Sequence, residues 1–166
     1  MSSVSTLYRR LTYLLVASTF ILIMLGGYVK AIHAGLACPD WPLCYGKLFP
    51  FADGGTYDYA NYMIFAEWFH RLWASLVGIL LLVVVFQASH YQSTVPLLLR
   101  LGLLCMVLFA LQVILGGLTV GTKLEPFIVV FHLANAVLII MIEMSMAFVA
   151  TFNSEIMKKH SVPSST

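Results

Sequence analysis

Charge is what this chain lacks. Only 10% of its 166 residues are Asp, Glu, Lys or Arg, where a soluble domain carries about 25%. Hydrophobic residues make up 61%, and mean hydropathy is +0.94. Such a composition excludes a water-solvated globule and makes lipid the solvent of the outer surface. The net charge of +2 is small, and no Lys/Arg stripe with interleaved aromatics is present, which sets nucleic-acid binding aside. Cysteine is scarce too, with three residues in all. Cys105 lies in an apolar run and reads as a buried apolar residue.

The scarce charges mark out four apolar stretches, near 11–29, 62–88, 97–120 and 125–150. Each is long enough to span a bilayer, which takes roughly 20 residues. The fold class expected is an all-α integral membrane protein, a four-transmembrane-helix bundle. A signal peptide at the first stretch is the alternative, since Arg9-Arg10 precedes it and Ala37 precedes Cys38. The run is long for that purpose, and Gly35 matches a lipoprotein-type site poorly. Residues 1–10 and 152–166 read as tails around a membrane domain at 11–151. Arg9, Arg10, Arg100, Lys158 and Lys159 fall on one side, and Lys30, Lys47 and Lys123 on the other. By the positive-inside tendency, both termini are cytoplasmic, and the 30–61 loop is extracytoplasmic in a cell membrane. That loop holds Cys38 and Cys44, and an outward loop is where a disulfide persists. Its aromatics, Trp41, Tyr45, Tyr57, Tyr59 and Tyr62, suit an ordered layer at the membrane surface.

Two histidines lie inside the apolar runs, His70 and His132. Imidazole in a bilayer is costly and usually faces a cavity, a proton path or a metal. The two are related by a weak internal repeat. Leu25-Gly26-Gly27 matches Leu115-Gly116-Gly117, and Phe69-His70 matches Phe131-His132, with Ala74 and Ala136 four residues on. Helices 1–2 and 3–4 therefore read as two repeated helical hairpins. His70 lies about eight residues inside the outer end of its helix and His132 about seven, or roughly 12 Å at 1.5 Å per residue. Ala74, Ala136 and Gly78 leave flat space below each ring. A heme iron held by two axial histidines fits this pattern. Two polar residues bonded across helices, or a zinc site using Glu67, are the alternatives.

Glu67 precedes His70 by three residues and shares its face, one turn nearer the outer surface. A carboxylate there could take a proton or stabilise developing positive charge; it could equally form a structural hydrogen bond or pair with Arg71. Arg71, adjacent to His70, points about 100° away, toward a heme propionate or outward to the headgroups. Glu143, near the inner end of helix 4, is expected to meet headgroups. Cys38-Pro39-Asp40-Trp41-Pro42-Leu43-Cys44 is a stiff small loop, either a structural disulfide or a redox-active one.

Taken together, Gly26-Gly27-Tyr28-Val29, the 35–46 string Gly-Leu-Ala-Cys-Pro-Asp-Trp-Pro-Leu-Cys-Tyr-Gly, Glu67-x-x-His70-Arg71, Leu115-Gly116-Gly117-Leu118-Thr119-Val120 and His132-Leu133-x-x-Ala136 resemble the heme A synthase family. The motifs run in that family's order across all four helices. The resemblance implies a membrane oxidoreductase that oxidises the C8 methyl of heme O to the formyl group of heme A, for terminal oxidases. It implies His70 and His132 as axial ligands of heme iron, Glu67 as the catalytic carboxylate, and Cys38 and Cys44 as a disulfide pair. Heme b, heme O and heme A become the expected cofactor, substrate and product. A heme O synthase, an electron acceptor and a thiol-disulfide partner join the lipid bilayer as expected partners. Family members commonly have eight helices and two histidine pairs, whereas this chain has four helices and one pair, so a homo-oligomer is expected. The rival reading is a bis-histidine b-type cytochrome that only carries electrons within a membrane complex.

Overall fold

The computed structural model describes residues 4–51 and 58–161; Tyr57 lies outside the described residues. Four helices follow in order: α1 (Thr6–Ala31), α2 (Asn61–Ser89), α3 (Pro96–Gly121) and α4 (Pro126–Ser161). All four are long and apolar enough to cross a membrane. No strand is present among the described residues, only an isolated bridge between Cys44 and Lys47. This is the all-α membrane bundle expected of the apolar runs.

The helix starts follow local chemistry. The Ser5 side chain accepts a hydrogen bond from the Tyr8 N–H at 3.1 Å and caps α1. Pro96 opens α3, where its missing N–H has no intrahelical partner to lose. The Glu125 carboxylate accepts from the Ile128 N–H at 3.0 Å at the head of α4. Both predicted tails are shorter than expected. Helix α1 begins at Thr6, and α4 runs on to Ser161. The two segments hold each other: the Val4 N–H donates to Asn153 at 3.3 Å, and Arg9 donates to the Ser154 hydroxyl at 2.9 Å.

Each helix packs on its sequence neighbours, and α4 closes back on α1. Among the described residues the diagonal pairs α1/α3 and α2/α4 make no backbone approach. The histidine-bearing helices thus face each other across the bundle.

Burial is uneven along the bundle axis. One apolar core, with Tyr8, Leu15, Val77, Leu81, Leu98, Ile139 and Met146, fills the half that holds the termini. A second, with Val29, Ala37, Cys38, Cys44 and Ile64, lies under the long loop. The second is a satellite cluster of the kind that forms under a long loop. At the level of the histidines the side chains are half-buried, with Leu22, Trp73, Leu108 and Phe109 packed against the main core.

Candidate functional site at the histidine level

His70 and His132 are half-buried at this level. Each leans on a glycine of the preceding helix. A Cβ built at Gly26 would lie 3.1 Å from His70 Cε1, and one at Gly116 would lie 3.4 Å from His132 Cε1. Both glycines stand five residues before their helix ends, Ala31 and Gly121, so the cradles sit at one depth. The rings are close enough to interact electrostatically. In both, Nδ1 is buried without a hydrogen-bond partner. Gly78 serves otherwise than expected: the Phe109 ring of α3 fills the space above it, 2.9 Å from an ideal Cβ. It brings α2 and α3 together and leaves no room for a ligand.

Some contacts around the two histidines correspond. Trp73, three residues after His70, donates its indole N–H to the Ser18 carbonyl at 3.0 Å. Asn135, three residues after His132, donates to the Leu108 carbonyl at 2.9 Å. Ser18 and Leu108 each lie eight residues before the cradle glycine. The ends of α1 and α3 also match. The Ala34 N–H reaches the Val29 carbonyl at 2.9 Å, and the Leu124 N–H reaches the Thr119 carbonyl at 2.8 Å. The residues before them, His33 and Lys123, both adopt left-handed backbone, φ 55° and 54°.

Glu67 is buried by the cysteine loop. One oxygen accepts from Arg71 at 2.6 Å, and the other from the Cys38 N–H at 2.8 Å. Arg71 in turn donates to the carbonyls of Asp40 (2.6 Å), Leu43 (2.5 Å) and Cys38 (3.1 Å). Its terminal nitrogens are engaged with the loop and Glu67, where a propionate or a headgroup was expected. Cys38 and Cys44 are disulfide-bonded with Cα atoms 4.7 Å apart, and both are buried. The Asp40 carboxylate accepts from the Tyr45 and Gly46 N–H groups at 2.6 and 2.8 Å. It thereby holds a turn in which both residues have positive φ. From the loop, Trp41 crosses to α3 and lies 3.1 Å from an ideal Cβ on Gly117. Phe49, Phe51 and Trp68 pack edge to face, and Phe65 lies tilted against Trp68. The Glu67–Arg71 pair, Trp41 and the disulfide hold the loop over the histidine pair.

Sequence reasoning missed three things. Gln112 and Asn135 form a polar pair beside His132, with Asn135 donating to the Gln112 side-chain oxygen at 2.8 Å. Amides inside apolar spans bond across helices, and that was the available signal. Asp40 was not singled out. Glu143 does not meet headgroups: it is fully buried and accepts from the Thr19 hydroxyl at 3.0 Å, with its second oxygen unpartnered. Among the described residues, no three His, Cys or acidic side chains gather as a metal cage.

The fold and site define a multi-pass membrane protein with an intramembrane histidine pair under a disulfide-stapled loop. The chain belongs to the COX15-CtaA family of cytochrome oxidase assembly proteins, whose model matches residues 9–165. It is 33% identical over 142 residues to a heme A synthase of Shewanella oneidensis, covering 75% of this chain and 41% of that protein. A heme A synthase of Halalkalibacterium halodurans is 34% identical over 120 residues, covering 70% of this chain and 36% of that one. The chain thus spans about two fifths of the length of these curated relatives. A protoheme IX farnesyltransferase of Haloarcula marismortui is 31% identical over 131 residues, covering 76% of this chain and 26% of that protein. No solved structure matches the chain significantly.

Proposed function

We propose that this chain binds heme between His70 and His132 and serves the oxidation of the C8 methyl of heme O to the formyl group of heme A. The observation that carries this is the pair of imidazoles at one depth, each against a glycine of the preceding helix and each with Nδ1 buried and unpartnered. A buried polar atom without a partner calls for one. The names of the relatives supply the chemistry, and the pairwise match of the two hairpins supports reading them as copies of one unit.

The residues fit a flat macrocycle held from two sides. The imidazoles of His70 and His132 would hold the heme iron, and Gly26 and Gly116 leave room for each ring against its neighbour helix. Bound heme supplies both the methyl group to be oxidised and a redox-active iron. Glu67 stands one helical turn above His70. Each of its oxygens keeps a second lone pair, through which it would accept a proton near the reacting substituent. The loop excludes water from above, and burial of both sulfurs fits a structural disulfide. We place the chain in the cell membrane, with both termini cytoplasmic. The similarity to a protoheme farnesyltransferase supports a heme O supplier as its neighbour.

Pigment extraction tests this reading. The chain, expressed with a source of heme O, should yield extractable heme A, and His70→Ala or His132→Ala should remove both heme A and the low-spin spectrum. A low-spin protein that leaves heme O unchanged would instead be an electron-carrying cytochrome.

A further inference from the structure

Apart from the histidine pair, three buried side-chain atoms have no hydrogen-bond partner among the described residues: Tyr8 Oη, Arg9 Nε and Glu143 Oε2. All three belong to α1 or α4. Of the buried polar residues, Thr12, Thr19, Glu143 and Ser154 lie on these two helices, in the half that holds the termini. Polar contacts join the two helices there: Thr19 to Glu143 at 3.0 Å, Tyr13 to Thr151 at 3.0 Å and Arg9 to Ser154 at 2.9 Å. On α1, Tyr8, Thr12 and Thr19 recur at helical spacing and share one face.

Packing does not ask for an acid at 143. Glu143 stands eleven residues after His132, and the residue eleven after His70 is Leu81. Thr19 stands seven residues before Gly26, and the residue seven before Gly116 is Phe109. Leu81 is buried in the main core and Phe109 packs against it. An apolar pair thus fills the corresponding place, whereas an intramembrane acid is costly and points to a function. Around Glu143, α1 offers only the Thr19 hydroxyl, which donates to Oε1. From α3 the Cys105 thiol lies close enough to interact electrostatically. Helix α2 is diagonal to α4 and makes no backbone approach. No lysine, arginine or histidine among the described residues pairs with Glu143.

We propose that Glu143 is a proton-exchange site, reached from the end that holds the termini along the hydroxyls of Tyr8, Thr12 and Thr19. Hydroxyls both donate and accept hydrogen bonds, and water bridges buried polar atoms that side chains leave unpaired. A proton passes from water at that end to a Glu143 oxygen and returns the same way, so only O–H bonds form and break. The site stands without the heme reading, but its use rests on it. Glu143 lies about 16 Å along α4 from His132, at 1.5 Å per residue. Charges in an apolar core are little screened over such a distance. An electron delivered to heme iron by a one-electron donor is then offset by one proton taken up at Glu143.

Infrared spectroscopy of the heme-free full chain in lipid nanodiscs tests the site. The wild type should show an acid carbonyl band that moves in heavy water and is lost in Glu143→Gln. Glu143→Leu should lose it too, and this variant should fold, because leucine is what stands at 81. Tyr8→Phe and Thr12→Val should keep the band but lose its heavy-water shift on the wild-type timescale. No band lost with Glu143, or a band that stays fixed in heavy water, overturns the proposal. Exchange that ignores both Tyr8→Phe and Thr12→Val overturns the path along α1. With hemin bound, the reduction potential of the wild type should fall as pH rises, and the slope should shrink in Glu143→Gln. Glu67 and Arg71 are present in both proteins, so the difference isolates Glu143. Equal slopes overturn the redox link alone. A wild type with no low-spin hemin spectrum overturns the heme reading, and the infrared result still decides the proton site.

Discussion

Glu67 offers two oxygens to two donors, the Arg71 guanidinium and the Cys38 N–H. A glutamine at 67 could satisfy only one, because its amide nitrogen would face a second donor. Glu67→Gln is therefore not a silent change of charge. It should loosen the loop as well as stop heme O oxidation. Losing a hydrogen bond to a charged group costs about 1.5–3 kcal/mol, so the Cys38–Cys44 disulfide should be reduced at least about ten-fold faster by a soluble thiol. Unchanged reduction kinetics would show that Glu67 does not anchor the loop. The sequence made Glu67 and His70 visible as one helix face, through spacing alone. It did not show that Arg71, four residues on, turns back to Glu67 and binds three loop carbonyls, because main-chain acceptors have no signature in sequence. Glu143 was misplaced for another reason. The polar residues after 151 looked like a tail, which put Glu143 near a helix end. Helix α4 continues to Ser161, so Glu143 lies deep in the bundle.

At the scale of helices, hydropathy located all four elements, because a spanning helix must be apolar along its whole length. It fixed their ends less well, because fraying or extension in polar sequence depends on partners such as Asn153 and Ser154. The glycine motifs were visible in the sequence, but not their separate uses. Gly26 and Gly116 make room for imidazoles, Gly117 makes room for Trp41, and Gly78 makes room for Phe109. The first two differ by a few tenths of an ångström, and that difference predicts an asymmetry. At Gly26 a methyl group would lie 3.1 Å from the His70 ring, and at Gly116 it would lie 3.4 Å from the His132 ring. Gly26→Ala should push His70 off its rotamer, at about 1 kcal/mol, and weaken hemin binding about five-fold. Gly116→Ala should leave hemin affinity unchanged and raise thermal stability, since alanine favours helix by about 1 kcal/mol over glycine. Equal hemin titrations of the two variants would refute the cradle at His70.

For the molecule as a whole, an even number of helices places 4–5 and 90–95 at one end and residues 32–51, 58–60 and 122–125 at the other. Which end faces the cytoplasm is not a matter of packing. It is decided by where cations cluster and where a disulfide survives. Arg9 and Arg100 lie at the end that carries the termini, and Cys38–Cys44 lies at the other. Both features support the proposed orientation, with the loop outside in an oxidising compartment. In that orientation the proposed site would lie in the outward half of the bilayer, under the loop, with the outer leaflet as the short route for substrate. Surface labelling distinguishes the two orientations. Among the described loop residues Leu48 is the most exposed large apolar side chain, at 83%, and Gln92 is exposed in the α2–α3 connection. The native thiols do not interfere, because Cys105 is buried and the other two are bonded. In intact cells, Leu48→Cys should react with a membrane-impermeant maleimide and Gln92→Cys should react only after the membrane is opened. The reverse pattern would place the loop, the disulfide and the histidine pair on the cytoplasmic side.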